Sequence, residues 1–169
     1  MFVTRRAFVG IGAAVGASYL ATRGFTRLAG APLRASAQSA GRDARLASVD
    51  GRLDVDLVAS DDWVDLAEGR AKLWSFNGQV PGPLLEAVAG DEVRIRLTND
   101  LDESTNLHFH GLHVPPTGTA DNIFLEVPPG EVASYAFRIP EQHPAALFWL
   151  HPHLHGSVAR QVSLGLAAP

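Results

Sequence analysis

Val93-Arg94-Ile95-Arg96-Leu97-Thr98 alternates apolar and polar side chains with a period of two. An extended chain sends successive side chains to opposite faces, so this segment predicts a strand with one face in a core and the other in water. Asn99-Asp100 follows it with a turn signal. The same pattern extends in both directions. Upstream, Leu53, Val55 and Leu57 alternate with Asp54, Asp56 and Val58, and Trp74-Ser75-Phe76 ends at Asn77-Gly78, a strong hairpin signal. Pro81-Gly82-Pro83 marks another turn. Downstream, Leu107 to Val114, Val132 to Ile139 (after the turn Pro128-Pro129-Gly130) and Leu147 to His153 predict further strands. Only Ser157 to Leu166 fits a short helix. Turn signals at intervals of roughly 8–12 residues, with little helical periodicity, predict an all-β fold, an antiparallel sandwich or barrel.

The composition agrees. Of 169 residues 46% are hydrophobic and 19% charged, enough apolar material for one core and too little charge for a disordered chain. Net charge is −4, but residues 1–37 hold five arginines and no acid, while the remainder holds 9 basic and 18 acidic residues. An acidic body disfavours nucleic acid as a partner. There is no cysteine, which excludes a disulfide framework, a thiol nucleophile, a zinc–thiolate site and a Cys-ligated copper within these residues.

Residues 1–37 predict a twin-arginine signal peptide. Thr4-Arg5-Arg6-Ala7-Phe8 resembles the twin-arginine motif, Ala7 to Ala21 is a modest apolar stretch too short to span a bilayer comfortably, and Ala35-Ser36-Ala37 is an A-x-A cleavage site. Cleavage there leaves residues 38–169 in the periplasm or outside the cell, with no stable membrane span. Residues 38–50 are polar and irregular and predict a flexible tether; residues 51–169 are the folded domain.

Six of the seven histidines fall in two clusters, His108-Phe109-His110-Gly111-Leu112-His113 and His151-Pro152-His153-Leu154-His155-Gly156. In a strand, residues i and i+2 share a face ~6–7 Å apart. His108 and His110 can therefore direct two imidazoles at one metal or two adjacent metals, and so can His151 and His153. Pro152 favours an extended conformation at His151 and a strand end or edge. A single His-x-His is commonly structural. Two of them some 40 residues apart, with four imidazoles facing alike, are hard to explain by packing. Imidazole suits copper, zinc, nickel and iron, so the histidines alone do not choose.

The wider segments Leu107 to Val114 and Phe148 to Gly156 resemble the two copper motifs in the first domain of multicopper oxidases, the group of laccases, copper-efflux oxidases and spore-coat oxidases. Phe76-Asn77-Gly78-Gln79-Val80-Pro81-Gly82-Pro83, Gly90-Asp91-Glu92-Val93 with Leu97-Thr98-Asn99, Val127-Pro128-Pro129-Gly130-Glu131, and Arg160-Gln161-Val162 with Gly165-Leu166 resemble further family segments, so the likeness covers about residues 71–168. It implies a cupredoxin-like Greek-key β-sandwich. By motif position it makes His108 a ligand of the type 2 copper, and His110, His151 and His153 ligands of the type 3 pair, within a trinuclear cluster that reduces O2. Asp121 resembles the family acid that hydrogen-bonds toward the type 2 site and relays protons; otherwise it is a turn residue. His113 and His155 stand at positions the family does not use for copper, and His143 is expected to face solvent.

The departures are equally informative. The family's cluster takes eight histidines from two domains, and this chain supplies four. The later domain and its His-Cys-His motif are absent, and the chain stops at Leu166-Ala167-Ala168-Pro169, where the family runs on into its last strand. Half a trinuclear site without type 1 copper is expected to be inactive alone and to need a C-terminal cupredoxin domain or chain. A stand-alone periplasmic protein that sequesters or delivers copper is the alternative, and a metal-free structural module the blander one. A cupin is disfavoured: Val114 and Pro115 stand where its glutamate is wanted.

Overall fold

The computed structural model describes Phe8–Val9 and residues 45–169. In chain order the elements are β1 (Phe8–Val9), β2 (Arg45–Ala47), β3 (Arg52–Leu66), β4 (Gly69–Phe76), β5 (Leu84–Val88), β6 (Glu92–Asp100), β7 (His108–His110), β8 (Val132–Arg138), β9 (Trp149–His151) and α1 (Val158–Leu164). The rest of the expected leader, and the tether up to residue 44, lie outside the described residues. Phe8–Val9 is extended and pairs antiparallel with Ala87 and Val88 of β5. Among the described residues no helix is long and apolar enough to cross a membrane.

One layer is the four-stranded sheet β4-β3-β6-β8. The alternation in β6 buries Val93, Ile95, Leu97 and Asn99 completely and turns Arg94 and Arg96 outward. β3 does the same with Leu53, Val55, Leu57 and Ala59. Asn77 and Gly78 take positive φ, 56° and 74°, in the turn that leads out of β4. Strands β3 and β6 pair in parallel, from Arg52 with Glu92 to Ser60 with Asp100, and so do β2 and β5. The fold is thus an all-β, cupredoxin-like sandwich with mixed sheets, where turn spacing predicts purely antiparallel ones. Turn spacing reports strand length; it does not report which strands become neighbours. Here β4 and β5 intervene between β3 and β6, and the chain returns beside β3 in the same direction.

The second layer contains β5, β9 and β7. The tether reading of residues 38–50 is corrected in its described part: Arg45–Ala47 is a strand on the edge of β5, with Arg45 ion-paired to Glu86. The final residues also have a place. Ala168 exchanges hydrogen bonds with Leu150, and Ala167 and Pro169 accept from Gly82 and Leu85 at 2.7 and 3.0 Å. They join β5 to β9, so the stretch expected to stop short of a strand is itself paired.

Between the layers lies one apolar cluster. Phe109 of β7 and Leu150 of β9 point down into it, fully buried. Phe109 sets its ring edge against Tyr135 and Phe137 of β8, with centroids 6.0 and 4.9 Å away. The Tyr135 hydroxyl is in the core for a reason: it accepts the Leu107 N–H at 2.7 Å, one residue before the first histidine strand. Burial pushes this phenol well above the ordinary tyrosine range, so it stays neutral. Tyr135→Phe leaves that N–H buried without a partner and is expected to cost about 1–3 kcal/mol, measured as a lower urea midpoint at unchanged m-value. An unchanged midpoint would show that the bond contributes nothing.

Candidate metal centre

Strands β7 and β9 are antiparallel neighbours, with His108 opposite His151 and His110 opposite Trp149. Because Phe109 and Leu150 are drawn into the core, the residues on either side of each face the other way. The i, i+2 geometry expected of His108 and His110 therefore holds, and His151 emerges on the same face. One potential ligand nitrogen from each lies within 4.8 Å of the other two. Gly111 ends β7 at φ +88°, and a Cβ there would meet the Phe148 ring at 3.0 Å, so the turn after His110 needs glycine both for its backbone and for space.

Hydrogen bonds fix which nitrogen each ring offers. His108 donates from Nδ1 to Asp121 Oδ1 at 2.8 Å, because a carboxylate only accepts; its Nε2 is left bare. The same Oδ1 accepts the Phe109 N–H at 2.8 Å, so one oxygen holds both the ring and the strand that carries it. His151 donates from Nδ1 to the Pro152 carbonyl at 2.8 Å, which again bares Nε2. That Nε2 lies 3.3 Å from Nδ1 of His110. Two nitrogens bound to one ion at ~2.0–2.1 Å are ~3.3 Å apart at a tetrahedral angle, so the pair is spaced as two ligands of one metal would be.

His153 lies near but outside this triplet. Its ring is 5.2 Å from that of His108 and 6.1 Å from that of His151. Its Nδ1 is buried and has no hydrogen-bond partner. An unpartnered buried imidazole nitrogen beside three converging ones, with neutral nitrogen as the only donor type, fits an imidazole-seeking metal such as copper.

The surroundings shape the site. Trp149 stacks on His110 (5.1 Å, 26°) and on His151 (4.1 Å, 27°). Sequence reasoning passed over Trp149; its signal was the alternation that puts it on the same face as His151 and opposite His110. Helix α1 supplies Val158, Ala159, Val162 and Ser163 to the other wall of a cleft of about 370 Å³. The helix is anchored by Gln161, fully buried, which accepts from Thr105 and donates to Glu103 and to the Ser104 carbonyl.

The remaining histidines are elsewhere. His113 and His155 are exposed, the latter against Phe124. The expectation that His143 faces solvent is overturned: it is 8% exposed. Its Nε2 accepts the His113 N–H at 3.0 Å, its Nδ1 donates to the Pro144 carbonyl at 3.0 Å, and Phe148 packs on the ring. With both nitrogens engaged it offers no metal ligand.

A cupredoxin-like sandwich with His108 and His110 on one strand and His151 on its neighbour defines a β-domain with a histidine cluster that could hold an imidazole-seeking metal. The multicopper oxidase profile matches residues 58–169, and the chain belongs to that family. It is 39% identical over 93 residues to the multicopper oxidase mco of Staphylococcus aureus, covering 54% of this chain and 20% of that protein. It is 33% identical over 102 residues to copper resistance protein A of Pseudomonas syringae pv. tomato, covering 59% and 16%. Among solved structures, the multicopper oxidase of Campylobacter jejuni, described as a metallo-oxidase, superposes with a TM-score of 0.64 at 32% identity, covering 75% of this chain and 27% of that one. The chain thus spans about a fifth of the length of these curated relatives.

Burial pushes the His151 imidazole below its ordinary range; the rings of His108, His110 and His153 push the same way, and the bond to Pro152 opposes them. Below pH ~6.5 the unfolded chain takes up a proton at this position that the native site refuses. Native stability of the metal-free chain is therefore expected to fall as pH drops through ~6.5, until the lower native value is passed. Denaturant unfolding on both sides of that pH checks this, and His151→Gln should flatten the slope; an equally steep slope in the variant would refute the assignment. A second expectation concerns Asp121. Asp121→Ala frees the His108 ring and should weaken metal binding about 10–100-fold, read by competitive copper titration.

Proposed function

We propose that this chain is the copper-binding N-terminal cupredoxin domain of a multicopper oxidase and supplies half of a trinuclear site. The observation that carries the reading is the convergence of His108, His110 and His151, with His110 Nδ1 and His151 Nε2 3.3 Å apart, beside a carboxylate-held ring. In this assignment His108 holds the type 2 copper, and His110, His151 and His153 hold the type 3 pair. A second cupredoxin domain or chain supplies the other four ligands. Bound there, the coppers supply electron transfer and the reduction of O2.

This chain's own residues position and protect. Asp121 keeps His108 in the tautomer that binds through Nε2. Both its hydrogen bonds land on Oδ1, so Oδ2 is the oxygen available to take up and hand on a proton near the site. Trp149 stacks on His110 and His151 and covers one side of each ring. The 169 residues hold no cysteine, so an electron entry site of the type 1 kind has to come from another domain. The arginine-rich segment from Thr4 to Ala37 supports export by the twin-arginine route and work in the periplasm or outside the cell.

One observation favours a second reading: the triplet forms within a single chain, so the domain can hold copper unaided and sequester or deliver it. Copper titration of the chain, with a phenolic dye assay alongside, separates the two. Half-site function predicts loose binding and no dye oxidation above the free-copper background; tight stoichiometric binding by a monomer favours sequestration. Dye oxidation by the chain alone would overturn both. His110→Ala with His151→Ala should abolish specific binding, and retained binding would remove copper from the account.

A further inference from the structure

The ladder between β7 and β9 ends at His108 and His151. Two residues further in the same register, past Leu107 and Pro152, Asn106 falls opposite His153. Pro152 intervenes without an N–H, and the backbone N–H of His153 finds no strand carbonyl. The Asn106 side chain takes over: its Oδ1 accepts the His153 N–H at 2.6 Å. Its Nδ2 donates to the Ile123 carbonyl at 2.9 Å. Asn106 is completely buried, so both groups sit where an unpaired amide is costly. Ile123 follows Asp121 by two residues. One amide thus ties together the strand of His108 and His110, the turn of Asp121, and His153.

His153 depends on this tie more than its neighbours do. Hydrogen bonds hold the rings of His108 and His151, and Trp149 stacks on His110. Among the described residues no hydrogen bond reaches the His153 ring, and its Nδ1 is buried without a partner. The His153 ring is set through its backbone.

We infer that Asn106 is a positioning residue for His153, deciding whether the fourth imidazole stands where it can share metal with the other three. The consequence for copper rests on the function proposed above; the positioning itself can be tested without metal. The direct experiment compares imidazole 15N spectra of the metal-free chain in wild type, Asn106→Ala and Asn106→Asp. The Ala variant should shift or broaden the His153 ring signals and leave those of His110 and His151 in place. The Asp variant keeps the oxygen acceptor and loses the donor to Ile123, so it should return His153 to its wild-type signals. Unmoved His153 signals in Asn106→Ala, or an equal disturbance of all four rings, would overturn the proposal. If the Ala variant does not fold, Asn106→Asp decides alone: His153 in place supports the role, and a displaced ring refutes it. Copper titration adds a second readout, with affinity at the His153 position expected to fall about 10–100-fold in Asn106→Ala. A wild-type chain that binds no copper would sink the copper reading and leave the ring spectra to judge Asn106.

Discussion

The pairing of His108 with His151 across β7 and β9 is the constraint on which the site depends. It is enforced from below. Phe109 and Leu150 are the buried members of the two strands, and burying each stabilises the fold by ~1.5–3 kcal/mol relative to exposure. Because side chains alternate, a slip of one residue in either strand would lift an apolar ring or a leucine into water and drive an imidazole into the core. The apolar pair therefore chooses the register, and the register aims the metal-binding face. The histidines do not favour this arrangement by themselves, since burial, and to a smaller extent the neighbouring rings, lowers the basicity of His151. The hydrophobic core holds in place a cluster that imidazoles alone would not form.

What was legible in the sequence was whatever repeats along a strand. Val93, Ile95 and Leu97 show their alternation openly because one face of β6 meets the core and the other meets water. His108 and His110 were legible for the same reason. β5 was not: Leu85, Glu86 and Ala87 are all buried, so no period of two survives. Its neighbour β2 was read as tether because Arg45-Leu46-Ala47 is too short and too polar to announce itself, and its place is set by Glu86, 41 residues away. His143 was misplaced because its burial comes from accepting an N–H 30 residues upstream and from the Phe148 ring. Long-range partners of single residues leave no local pattern.

The site divides along the same line. Its candidate ligands are suggested by spacing and by family resemblance, while the groups that orient them are readable only in part. Asp121 came from resemblance alone; nothing in Thr119-Ala120-Asp121-Asn122 separates a turn aspartate from one that reaches back 13 residues to His108. Asn106 and Trp149 went unread because an amide two residues before a histidine strand, or an indole two residues before its partner, looks like ordinary strand filling. Their roles appear once β7 and β9 are placed side by side.

The closing stretch carries the last step. Ala167–Pro169 hydrogen-bonds to Leu150 on one side and to Gly82 and Leu85 on the other. It therefore braces β9, the strand of His151, against β5. Gln161 braces α1 against the loop that leads into β7. The first support steadies β9 from the side of β5, and the second holds α1, which walls the histidine cleft. For the half-site proposed above, such bracing would hold the imidazoles in position before a second set of ligands arrives.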